Sequence, residues 1–101
     1  MSAVLKIPSG LKPLVNGFSA VDIPSCPLGE ALSRLDDRFP GIRSRLIDEN
    51  GELHPFISIF VNDHNITYLE GLDTLISEGD EIIIVPAIGG GSRVNSLATY
   101  P

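Results

Sequence analysis

The sequence predicts an α+β domain, a mixed sheet with one main helix packed on one face. Three observations lead there. Apolar residues alternate with period two over residues 3–8 and again over 56–61, the pattern of half-buried strands. Between them Leu28, Leu32, Leu35 and Phe39 fall at helical spacing and form one stripe. With 101 residues and 43% hydrophobic content, the chain suits a single small core.

In order, Ala3, Leu5 and Ile7 share one face of a first strand, which Gly10 and Pro13 end. Asn16-Gly17 reads as a hairpin signal, so residues 18–23 are expected to return antiparallel and stop at Pro24. Ser25 or Cys26 can cap the helix that follows, with Pro27 at its first helical position and Pro40-Gly41 as its stop. Residues 42–46 suggest another short turn and Asp48-Glu49-Asn50-Gly51 a tight reversal. In the strand at 56–61, Ile57, Ile59 and Val61 take one face and Phe56, Ser58 and Phe60 the other. Asn62-Asp63-His64-Asn65 then turns the chain, residues 66–69 are expected as a short edge strand, and 72–77 as a packed loop. Gly79-Asp80 leads into the apolar run Ile82-Ile83-Ile84-Val85, a buried strand. The order β-β-α-β-β-β is that of the ubiquitin-like β-grasp.

Composition restricts the functional classes. Thirteen acids against seven bases give a net charge of −6, which disfavours nucleic acid and anionic membrane and favours a protein partner with basic surface. One cysteine, Cys26, excludes an internal disulfide framework, and neither a secretory signal nor a membrane span is apparent, so a cytoplasmic monomer is expected. His54 and His64 lack metal-site spacing and read as solvated turn residues, so no metal or other cofactor is expected. Cys26 has no basic neighbour in sequence and reads as structural rather than nucleophilic. No catalytic ordering or nucleotide-binding glycine loop is present, which points to a cosubstrate rather than an enzyme.

After the last strand comes Pro86-Ala87-Ile88-Gly89-Gly90-Gly91 and then residues 92–101. Three glycines expose bare backbone and suit a narrow enzyme channel; a flexible linker is the plainer alternative. Val61-Asn62-Asp63, Leu69-Glu70-Gly71-Leu72-Asp73-Thr74, Gly79-Asp80-Glu81 and the glycine tail together resemble the ubiquitin-like sulfur carriers of the MoaD/ThiS group, most of all the CysO-type branch of cysteine biosynthesis. Ile7-Pro8, Leu11-Lys12-Pro13, Leu28-Gly29, Gly41-Ile42, Arg45-Leu46, Leu53-His54 and Phe56 extend the likeness over residues 3–91. The resemblance implies that Gly89 and Gly90 enter the channel of an E1-like adenylating enzyme, and that Gly91 is adenylated and converted to a thiocarboxylate. It further implies delivery of the sulfur to a biosynthetic enzyme such as a PLP-dependent cysteine synthase.

The chain departs from that pattern after Gly91, because an amide-linked glycine offers no carboxylate to ATP. Cleavage between Gly91 and Ser92 by a JAMM-type metalloprotease, as some relatives undergo, is the expected remedy; residues 92–101 otherwise read as a cloning-derived tail. The domain plan is thus 1–88 for the β-grasp, 89–91 for the reactive tail and 92–101 for the extension. Strand parity turns Phe56, Phe60, Ile83 and Val85 away from the helix as a docking patch, unless the loop at 8–17 covers them. Glu70, Asp73, Glu78, Asp80 and Glu81 are expected to rim it. A lysine-conjugated protein modifier and a plain interaction domain are the rival classes, and molybdopterin, thiamin and specialised thioacid pathways are the other recipients that the resemblance allows. Lys6 and Lys12 as the only lysines argue against extended chains of a modifier.

Overall fold

The computed structural model describes residues 2–86. Five strands form one sheet in the order β2-β1-β5-β3-β4. β1 (Ser2–Lys6) pairs antiparallel with β2 (Ala20–Pro24) and parallel with β5 (Glu81–Pro86), while β3 (Ile57–Val61) pairs antiparallel with β5 and with the two-residue β4 (His64–Asn65). The mixed β-grasp is therefore as expected, with the strand that leads to the glycines in the middle of the sheet.

The helix α1 (Leu28–Arg38) supplies the other layer. Its stripe residues Leu28, Leu32 and Leu35, with Ala31, are fully or almost fully buried, and Phe39 closes the end. They meet Ala3, Leu5, Ile57, Ile59, Val61, Ile82 and Ile84 from the inner sheet face, so the parity read from the sequence holds. A second helix, α2 (Ile42–Leu46), stands where a turn was expected. The Asp36 carboxylate accepts from the backbone amides of Gly41 and Arg43 at 3.0 and 3.1 Å and so satisfies donors at its start.

Three expectations are corrected. Asn16-Gly17 does not make a two-residue hairpin: residues Ser9–Val15 wind into a 3-10 helix that buries Leu11 and Val15, and Asn16 (φ 56°) and Gly17 (φ 83°) terminate it in the left-handed region. Neither Ser25 nor Cys26 caps α1. Pro27 takes the cap position without a side-chain hydrogen bond, and the Leu28 amide instead donates to the Thr74 carbonyl at 2.9 Å. The edge strand lies at His64–Asn65, not over 66–69. There the Asn65 side chain accepts from the Thr67 amide, starting a 3-10 turn over Ile66–Tyr68 that drives Ile66 into the core.

The entry to β5 is locked by side chains. Asn62 and Asp63 sit at φ 49° and 73°, the conformation of a tight β3–β4 turn. From it the Asn62 carboxamide donates to Asp80 Oδ1 at 2.8 Å and accepts from the Glu81 amide at 3.0 Å. Asp80 Oδ2 in turn accepts from the Ser77 amide at 2.8 Å. The Val61-Asn62-Asp63 and Gly79-Asp80-Glu81 motifs thus hold the start of β5 against the end of β3.

Candidate docking face and tail root

β5 ends at Pro86, paired with Ile57. Gly89 and Gly90, expected in the enzyme channel, Gly91, expected to carry the reaction, and the expected cleavage position Gly91-Ser92 lie outside the described residues, as does the rest of 87–101. What the structure does define is the face around the strand that carries them. On the outer sheet surface Phe60 lies opposite Ile83 and Ser58 opposite Val85, while Lys6 of β1 lies beside Ile83. Phe60 and Ile83 are half-buried and Val85 is 41% exposed, with Val4 contributing more apolar surface from β1. The loop at 8–17 leaves Val85 exposed; it turns Leu11 and Val15 inward, towards α2.

Phe56 departs from this row. It precedes β3, is 49% exposed, and stacks on the His54 ring at 5.1 Å between centroids with 12° between planes. It belongs to the end of the sheet where β5 leaves the domain, not to the row of Phe60 and Ile83. The acidic rim is also partly engaged: Glu81 pairs with Lys6 at 3.2 Å and Asp80 serves the Asn62 lock, leaving Glu70, Asp73 and Glu78 as exposed or half-exposed carboxylates.

The remaining candidates do not form a reactive centre. Partial burial, and then the nearby Glu30 carboxylate, push the Cys26 thiol above its ordinary value, with Arg34 pulling weakly the other way. Its Sγ points to the Pro24 carbonyl at 3.7 Å, so the neutral thiol is favoured and nucleophilicity suppressed. His54 Nε2 lies 3.2 Å from the Ser44 carbonyl of α2, and His64 Nδ1 lies 3.0 Å from the Asn62 carbonyl within the β3–β4 turn. Among the described residues no group of three His, Cys, Asp or Glu could hold a metal, and no helix is long and apolar enough to cross a membrane.

Comparison with known proteins agrees with the geometry. The ThiS family model matches residues 24–91. The sulfur carrier protein CysO of Mycobacterium tuberculosis is 38% identical over 93 residues, covering 90% of this chain and all of the relative. Its crystal structure superposes with a TM-score of 0.81 at 36% identity, covering 85% of this chain and 99% of that one. The crystal structure of the BexX/CysO complex of Amycolatopsis orientalis matches at TM-score 0.81 and 30% identity, over 85% of this chain and 96% of the other. Small archaeal modifier protein 3 of Haloferax volcanii is 31% identical over 64 residues, 63% of this chain and 68% of its own length. These relatives are carriers and modifiers, not enzymes.

Proposed function

The chain belongs to the ThiS family, and from that premise we propose that it is a sulfur carrier whose Gly91, once freed from residues 92–101, is the group that bears sulfur. The observation that carries the reading is the coincidence of two ends. β5 leaves the sheet at Pro86, and the family match stops at residue 91, the last of the three glycines. The domain holds the root of the tail, and the bare backbone beyond it fits a channel too narrow for side chains.

The chemistry requires three enzymes and a sulfur donor. A JAMM-type metalloprotease hydrolyses the Gly91-Ser92 amide, adding water across it to release a Gly91 carboxylate and the Ser92 amine. In the E1-like enzyme a carboxylate oxygen attacks the α-phosphorus of ATP, expelling pyrophosphate and leaving an acyl adenylate. Hydrosulfide supplied by a sulfur donor then attacks the Gly91 carbonyl, forming the C–S bond as the C–O bond to AMP breaks, and loss of the S–H proton leaves the thiocarboxylate. The sulfur passes to an accepting enzyme, for which a PLP-dependent cysteine synthase of cysteine biosynthesis is the favoured candidate. The outer face of Phe60, Ile83 and Val85 docks the carrier, and Phe56 contributes at the tail root. The carrier itself contributes position only, since activation needs an oxyanion that the uncut amide lacks.

The match to a small archaeal modifier supports a second reading, conjugation of Gly91 to lysines of other proteins. Intact-mass measurement separates the two. The chain ending at Gly91 is incubated with ATP, its cognate activating enzyme and a sulfur donor. Exchange of one oxygen for one sulfur on the free chain is expected. Formation of the same product on the uncut 101-residue chain, or its absence from the chain ending at Gly91, overturns the reading. Attachment to lysines in cell extract would favour the modifier.

A further inference from the structure

At the end of the sheet where β5 exits, four separate segments enclose a small groove. Gly10 and Leu11 come from the 3-10 helix, Arg45 from α2, Phe56 and Ile57 from the start of β3, and Pro86 from the end of β5. The cavity is about 90 Å³, room for one aliphatic side chain. Leu11 and Ile57 are both only 7% exposed and form its floor, while Phe56 is a half-exposed wall.

Arg45 sets the sign of this groove. Lys6 is paired with Glu81 and Arg34 with Glu30; among the described residues Arg45, like Lys12, Arg38 and Arg43, has no carboxylate partner, but of these four it is the one that lines the groove, where it is exposed. The groove thus sets an unpaired guanidinium beside an apolar pocket in a chain of net charge −6. An arginine at the rim of a pocket for one apolar side chain is the composition of an interface anchor.

Reach identifies the occupant. Gly91 is five residues beyond Pro86, at most about 17 Å of extended chain. Any enzyme that closes over Gly91 therefore reaches close to the groove's own Pro86 wall. We infer that this groove receives a segment of the tail-activating enzyme that seats one apolar side chain between Leu11, Phe56 and Pro86 and places an aspartate or glutamate on Arg45. The inference rests on the activation reading above and adds the partner's chemistry: an acidic residue here, against the basic surface that net charge alone suggests. Such a contact stabilises the encounter without touching the reacting carbonyl, so it acts on KM and not on kcat.

The test uses the chain ending at Gly91 and its cognate activating enzyme, with ATP–pyrophosphate exchange as the readout and carrier concentration varied. Arg45→Glu raises the KM for the carrier about tenfold or more with kcat nearly unchanged, and Phe56→Ala raises KM in the same direction. Arg34→Glu, whose native residue forms an exposed pair on α1, leaves KM as it was. Added salt narrows the gap between the parent and Arg45→Glu, as screening of a charge pair requires. The inference is overturned if the parent exchanges and Arg45→Glu has the parental KM, with the activation reading left standing. A parent that does not exchange overturns both. If Arg45→Glu instead lowers the melting temperature of the full-length chain with KM intact, the groove holds this chain's own tail; if it dissolves a dimer, it holds a second copy. Either result overturns the assignment.

Discussion

Replacing Asn62 tests whether the lock at the entry of β5 is built as described. Asn62 stands at φ 49°, where alanine is strained by about 1–2 kcal/mol and glycine is not. Its carboxamide makes two hydrogen bonds, to Asp80 Oδ1 and from the Glu81 amide, each contributing about 0.5–1.5 kcal/mol and, in this exposed setting, towards the lower end. Asn62→Ala loses both bonds and adds the strain, a cost of about 2–3 kcal/mol. Asn62→Gly loses the same bonds without the strain but frees the unfolded chain, and should cost about 1 kcal/mol less than alanine. Urea unfolding of the two variants and the parent, followed by circular dichroism, reads both differences, and the slopes should agree if only native-state interactions change. Losses below about 0.5 kcal/mol in both variants, the scale of ordinary surface changes, would refute the lock. Equal losses would refute the left-handed strain while sparing the hydrogen bonds.

Leu32→Ala and Leu35→Ala remove side chains that are 0% and 1% exposed and should each cost about 2–5 kcal/mol by denaturant unfolding. Phe60→Asp and Val85→Asp alter the outer face, and each should weaken binding to the activating enzyme in calorimetry by well over 1 kcal/mol while circular dichroism stays parental; unchanged affinity in both discards the docking face. Because burial raises the Cys26 thiol, the folded chain holds the thiol proton more tightly than the unfolded chain does. The resulting stability is present below the unfolded thiol's titration and lost as pH rises through the folded one. Alkylation of Cys26 by iodoacetamide should accordingly be slower in the folded chain than in urea at mildly alkaline pH, and equal rates would show the thiol to be unshifted.

Legibility of the sequence followed the range of the interactions involved. The α1 stripe and the inner row Ile57, Ile59, Val61, Ile82 and Ile84 were readable because burial imposes a period on neighbouring residues. The outer exposure of Val85 followed from the same parity. The 3-10 helix at Ser9–Val15 was hidden, since Gly10 and Pro13 read as loop residues and Asn16-Gly17 serves a helix end as readily as a hairpin. The misplaced edge strand arose from Asn65, whose side-chain hydrogen bond outcompetes extension through Ile66 and Thr67. Phe56 was assigned to the outer row by extending the alternation one residue beyond the strand's true start. The groove at the tail root could not be read at all, because Leu11, Arg45, Phe56 and Pro86 are brought together by tertiary packing alone.

The central place of β5 has a mechanical meaning. β1 runs parallel on one side of it and β3 antiparallel on the other, so a pull on the chain beyond Pro86 acts along two hydrogen-bonded ladders at once. Force applied this way loads the ladders in shear, where several bonds must fail together, and not as a zipper, where they part singly. The terminal strand is therefore anchored like a pin between two plates. On the carrier reading proposed above, an activating enzyme would pull on a strand held on both sides, and the domain behind it would keep its shape.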